Sequence, residues 1–264
     1  MTDTPQALFP PALTPPRALL VVGHPGHELR LYGWMRAARP DVAILTDGSG
    51  SIGQPRVSSS QRLLDAVGAR ATPLFGGRSD QDVYAALLAQ DAGFFAAWFE
   101  ALVQLLDDGG YDLIVSDPLE GYNPTHDVCS VLVSVALEQR RRRGLPVPTR
   151  YDYALTAPLP TAEVEASLSE RWLDDKIAAA RGYPELQWEI DQAVAREGAQ
   201  AFAREQLRRL ETPALAPAVL PPGYETYGEQ KRAAGVYRDV IRHDQHFAPM
   251  VAALIAKLPP EPRT

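Results

Sequence analysis

Short apolar runs alternate with amphipathic stretches through the first 156 residues of the chain. Ala18 to Val22 is an unbroken apolar run, the pattern of a strand covered on both faces. From His27 to Ala38 the apolar residues Leu31, Trp34 and Met35 recur at helical spacing. Val42 to Leu45, Ala71 to Phe75, Leu113 to Ser116 and Tyr151 to Thr156 read as further strands. Between them, Ser58 to Val67 reads as a helix with serines to cap it, Asp82 to Leu106 as a helix broken near Gly93, and Thr125 to Arg143 as a helix capped by Asn123 or Thr125. Strands alternating with helices imply right-handed βαβ units, hence an α/β fold with a Rossmann-like, mostly parallel sheet flanked by helices. The polar loops that leave such strands share one edge, where open α/β sheets bind their ligands.

The pattern then changes. Leu168 to Arg181 and Glu185 to Leu210 read as charge-rich helices, and Thr212 to Gly223, with four prolines, as an extended connection. Tyr227 to His243 and Phe247 to Leu258 read as two more helices. The expected organisation is an α/β domain over residues 17–160 and a C-terminal helical extension over 161–264, packed on that domain as a cap. Met1 to Pro16 is proline-rich with no basic segment, so it reads as a loose arm rather than a signal peptide.

Composition narrows the function classes. A formal net charge of −7 argues against a broad nucleic-acid-binding surface. The dense basic run Arg140 to Arg143 ends a predicted helix, where cations are favoured and solvated. The single cysteine, Cys129, falls among apolar residues and reads as core; no internal disulfide is possible, which suits a reducing compartment. No apolar run reaches membrane-spanning length. The expectation is a cytoplasmic protein with a small-molecule ligand, no nucleic-acid or membrane partner, and room for homo-oligomers.

The candidate chemistry sits in the loop after the first strand, Gly23-His24-Pro25-Gly26-His27-Glu28. Of five histidines, three (His24, His27, His126) fall in predicted strand-end loops and two (His243, His246) in one C-terminal stretch. A close histidine pair with a distant third ligand is a usual catalytic zinc pattern, although paired histidines in polar loops also serve as caps. Gly48-Ser49-Gly50 lacks both the dinucleotide glycine pattern and the P-loop lysine, which sets nucleotide chemistry aside.

These segments resemble the LmbE-like, or GlcNAc-phosphatidylinositol de-N-acetylase (PIG-L), family of metal-dependent amide hydrolases. That family carries A-H-P-D-D-E after a strand, then a T-D-G loop, then H-P-D-H opening a helix. This chain reads Gly23-His24-Pro25-Gly26-His27-Glu28, Thr46-Asp47-Gly48 and Asn123-Pro124-Thr125-His126, in matching order. Asp175 to Ala180 with Tyr183 resembles a later family segment. The resemblance spans roughly residues 17 to 185. It implies that His24 and His126 are metal ligands and that His27 replaces the family's aspartate ligand, giving a three-histidine site for Zn2+ or another divalent transition metal. It implies further that Glu28 caps or braces the loop and that Asp47 holds the second loop or stands behind a ligand.

The chain departs from the family at Gly26, where the family has its general-base aspartate. Three neutral ligands leave more charge on a metal and favour ionisation of its water, but an amide leaving group still needs a proton. Glu120 is the first candidate to supply it, ahead of Asp117, Asp127, His243 and His246, with Glu28 and Asp47 also counted among the catalytic carboxylates. Tyr122, Asn123, His243 and His246 are the expected substrate contacts. The leading expectation is a zinc-dependent hydrolase of an amide, most simply the N-acetyl group of an amino sugar or sugar conjugate. The alternatives are a hydrolase for a different bond, and a metal- or ligand-binding relative without turnover.

Overall fold

The computed structural model describes residues 8–50, 53–211, 213 and 215–261. Five parallel strands form the body of the sheet: β1 (Ala18–Val22), β2 (Asp41–Thr46), β3 (Arg70–Arg78), β4 (Leu113–Ser116) and β5 (Thr149–Tyr153). Two more, β6 (Val164–Ser167) and β7 (Arg204–Arg209), extend it, with β7 antiparallel to both β5 and β6. The strand order is β3-β2-β1-β4-β5-β7-β6. The expected α/β fold class holds.

The helices on the strand crossovers are α1 (Tyr32–Ala38), α2 (Val57–Val67), α3 (Asp80–Leu88), α4 (Ala92–Gly109) and α5 (Pro124–Arg142). They are followed by α6 (Glu170–Arg181), α7 (Gln187–Glu197), α8 (Gly223–Ala233) and α9 (Ala248–Ile255). β1 alternates between two cores: Leu20 and Val22 face Trp34, Leu64 and Trp172, whereas Leu19 and Val21 face Leu102, Val128 and Phe247. All five residues of β1 are buried, so its continuous apolar run reflects a central strand covered on both sides.

Several expectations need correction. The stretch 185–210 is not continuous helix, because residues 204–209 form β7. Its Arg, Glu, Gln and Leu residues favour helix locally, but the edge of β5 offers backbone partners that override that preference. Glu205, on β7, then accepts hydrogen bonds from the Gly33 and Trp34 amides at 2.9 and 3.0 Å and pairs with buried Lys176 at 2.9 Å. The sheet therefore draws on both expected segments. The predicted 227–243 helix stops at Ala233: Gly235 turns left-handed at φ 72°, and the Val236 amide closes back on the Lys231 carbonyl. The long helix before β4 breaks at residues 89–91, where the Asp91 side chain caps the Phe94 amide, rather than at Gly93. Of the expected loose arm, residues 1–7 lie outside the described residues; Phe9 and Leu13 are buried, and the Leu13 carbonyl accepts from the Trp34 indole at 2.8 Å. Cys129 is core, as expected, and burial pushes its thiol well up. Arg140 to Arg143 end α5, but paired with Asp107 and Glu138 rather than merely solvated. No helix among the described residues is long and apolar enough to cross a membrane.

Candidate metal centre

The chain crosses to one side of β1 to form β2 and to the other to form β4. Their carboxyl-end loops therefore diverge and leave a crevice, the usual ligand position in open α/β sheets. His24 and His27 enter it from the β1 loop, and His126 from the first turn of α5, which follows β4. The approach is close. The Gly23 amide donates to Asp117 Oδ2 at 2.7 Å, and a Cβ on Gly23 would stand 3.1 Å from that oxygen. Asn123 caps α5 by accepting from the Thr125 amide at 2.8 Å, which fixes where His126 emerges.

The three imidazoles stand nearly perpendicular to one another, with ring centroids 4.4–5.2 Å apart. Each has its Nδ1 held by a different carboxylate. His24 Nδ1 lies 2.8 Å from Asp80, with the Thr46 hydroxyl at 2.9 Å; His27 Nδ1 lies 2.9 Å from Asp117; His126 Nδ1 lies 3.2 Å from Glu120. An Nδ1–H given to a carboxylate leaves the Nε2 lone pair free, the tautomer a metal ligand needs. Ligand atoms from the three rings all lie within 4.8 Å of one another, and His24 Nε2 is buried with no protein partner.

The charge balance points the same way. Burial pushes Asp117 up, but the neighbouring His27 and His126 and its hydrogen bonds hold it down at about 2. Asp80 is likewise held below the usual carboxylate range, against burial, by His24, Thr46 and the Gly50 amide. Burial, reinforced by its histidine neighbours, lowers His126 to about 4, and burial also lowers His27 despite Asp117. At neutral pH Asp80 and Asp117 are thus ionised and buried, and His27 and His126 are neutral. A divalent cation on three convergent nitrogens supplies the missing positive charge, so these residues fit the metal the resemblance implies.

The expected catalytic carboxylates have other positions. Glu120 spends one oxygen on His126 Nδ1 and accepts with the other from the Thr156 hydroxyl at 2.7 Å. Glu28 is fully buried, and that burial raises its pKa; it accepts from the Gly26 amide, Tyr183 and Ser60 and ties the β1 loop to α2. Asp47 turns back on its own loop and accepts from the Ser49 amide at 2.8 Å. Glu28 and Asp47 thus act as loop braces away from the Nε2 atoms. The brace on His24 is Asp80, which the sequence reading missed. Its signal was available: a carboxylate one residue past the Ser79 cap, at the carboxyl end of β3. Gly26 holds φ +105°, and a Cβ there would meet Leu186 Cδ1 at 2.7 Å. A side chain at position 26 would need Leu186 to move.

The histidines lie at the buried end of a cavity of about 910 Å³. Arg56, Gln81 and Asn123 share it, and Tyr84, Tyr122, Tyr224, Tyr227 and Tyr237 line it, with Tyr122, Tyr227 and Tyr237 exposed at its mouth. Arg56 is anchored by its Nε, which donates to the Gly48 carbonyl at 2.6 Å. Two of the expected substrate contacts, Tyr122 and Asn123, therefore face the cavity. His243 does not: it stacks on Phe247, and its amide donates to Glu225. His246 lines a neighbouring cavity instead.

No known family model and no curated protein sequence matches the chain. Solved structures do. TT1542, a conserved protein from Thermus thermophilus, aligns over 75% of this chain and 95% of its own, with a TM-score of 0.52 and 18% identity. The chain shares the α/β fold of that protein. Lower in similarity are the A40926 pseudoaglycone deacetylase Dbv21 (TM-score 0.48, 15% identity, 74% of this chain and 96% of that one) and a zinc-inhibited form of the teicoplanin deacetylase Orf2 (TM-score 0.42, 12% identity, 74% and 99%). Within this fold the three histidines come from the loop after β1 and the first turn of α5, and the carboxylates behind them come from the start of α3 and from the loop after β4.

Proposed function

We propose that the protein is a metal-dependent deacylase, cleaving an amide such as the N-acetyl group of an amino sugar or sugar conjugate. The observation that carries this reading is the set of three imidazoles, each locked by a carboxylate at Nδ1, at the buried end of an aromatic-walled cavity. His24, His27 and His126 would hold the metal, zinc or another divalent transition ion. When bound, the metal supplies Lewis acidity and acidifies water. Asp80, Asp117 and Glu120 keep the rings in the ligating tautomer. Arg56, anchored at Gly48, offers its outer N–H groups to an oxygen of the bound ligand. The tyrosines present flat faces suited to a sugar ring and exclude water from the inner cavity. The chain is read as cytoplasmic, with a small molecule as its partner.

One observation favours a second reading, metal or ligand binding without turnover: Gly26 offers no side chain where the resemblance implies a general base, and a Cβ there would meet Leu186. A single series separates the two. Metal content is measured for wild type and His126→Ala, and free amine is followed from N-acetylglucosamine and its conjugates. Amine release that stops with chelator and returns with zinc supports the deacylase. Metal or ligand binding without release supports the second reading, and a wild type that takes up no metal and binds no ligand sinks both.

A further inference from the structure

A second cavity, of about 410 Å³, adjoins the first. The two share Leu88, Asp239 and Val240 as a common wall. The second is lined by Arg232, Arg238, Arg242 and His246, with Asp239 its sole carboxylate lining. Arg232, in the last turn of α8, and Arg242 are both tied to Glu229, which fixes their guanidinium groups side by side while leaving further N–H groups on each. Arg238 is 97% exposed, with its nearest carboxylate, Asp239, at 3.9 Å. Three guanidinium groups thus stand with Asp239 and Glu229 around the cavity, and Glu225 also lies within electrostatic range of His246.

His246 adds a donor. Its Nδ1 accepts the Arg242 amide at 2.8 Å, so the neutral ring carries its proton on Nε2. Ala85, Leu88, Ala89 and Val240 form an apolar backing, which strengthens any charge pairing in front of it. The cavity is rich in donors and poor in acceptors, and forked guanidinium donors match planar or tetrahedral oxyanions.

We propose that this cavity is an oxyanion subsite, taking a phosphoryl or carboxylate group. The site stands on its own residues. Its shared wall with the histidine cavity places the oxyanion on the same ligand as the acyl group, and that part rests on the deacylase reading.

The test is calorimetric titration of the full chain with inorganic phosphate at low ionic strength. Saturable binding is expected in wild type, and equally in His126→Ala and in the surface control Arg196→Ala. Arg238→Ala and the Arg232→Ala/Arg238→Ala pair are expected to weaken it, the pair by about tenfold or more. Arg238→Ala breaks no close ion pair, and thermal melts confirm that each variant is folded. No binding to wild type, or unchanged affinity in the folded double variant, overturns the subsite. Neither result touches metal content, so the deacylase reading is judged separately. Titration with a phosphorylated N-acetylhexosamine identifies the source. Tighter binding than phosphate, with the gain lost in Tyr237→Ala, supports an oxyanion carried on the substrate; affinity equal to that of phosphate overturns the shared-ligand assignment and leaves a free anion as the occupant.

Discussion

Asp117→Asn separates the carboxylate's charge from its shape. Asp117 is fully buried and accepts three hydrogen bonds: from the Gly23 amide at 2.7 Å, from His27 Nδ1 at 2.9 Å and from the Tyr153 hydroxyl at 2.6 Å. An asparagine oxygen in the place of Oδ2 keeps the first two partners, and the Tyr153 hydroxyl rotates to accept from the new amide. What goes is the charge. The native carboxyl is held at about 2 against an ordinary 3.8 by His27, His126 and its hydrogen bonds; with those histidines neutral, about 2 kcal/mol is the ceiling on the metal-free stability its charge contributes at neutral pH. For a chain of this size that is roughly 4–8 °C in Tm. The sign follows from linkage: a carboxylate depressed in the folded state stabilises above the unfolded pKa, and the benefit is lost as pH falls through about 2. Metal affinity drops as well, by roughly 10–100-fold, because the imidazole keeps an acceptor but loses the negative charge that raises its basicity. Melts of the metal-free proteins and zinc competition against a chromogenic chelator read the two effects independently. An asparagine variant that melts lower but binds zinc within about twofold of wild type would refute the idea that Asp117 positions His27 for metal, leaving it a purely structural group.

Glu120→Gln should weaken zinc binding by a similar factor, and Asp47→Asn should not; equal losses in chelator competition would show that the effect is not specific to the ligand brace. Gly26→Asp should destabilise by about 2 kcal/mol or more, because the backbone is left-handed there and Leu186 fills the space, and Leu186→Ala should recover part of the loss in urea titrations. His126 titrates at about 4 when folded and near 6.5 when unfolded, so between those values the unfolded chain binds the extra proton. The metal-free protein should therefore lose on the order of 2–3 kcal/mol as pH falls from about 7 to 4, and His126→Gln should flatten that slope in denaturant midpoints taken across the range. Removing one member of the buried Lys176–Glu205 pair strands the other charge, so Glu205→Ala should cost about 3–5 kcal/mol, readable as a large drop in urea midpoint.

The α/β architecture and the three histidines were legible in the sequence because both are local facts. A run such as Ala18 to Val22 declares a doubly covered strand by itself, His24 and His27 follow β1 directly, and His126 opens the helix after β4. Long-range pairing was not legible. Arg204 to Arg209 has a helical composition and becomes a strand because β5 needs an edge partner; Glu205 is buried because α1 presents two free amides to it. The carboxylates show the same division. Asp47 and Glu28 sit beside the motifs but turn back to brace their own loops, whereas Asp80, 56 residues from His24, meets it at 2.8 Å. Sequence proximity sets which side chains start near the crevice. Which oxygen reaches which nitrogen depends on how β3, β1 and β4 lie side by side, and that was decided by burial and pairing across the sheet.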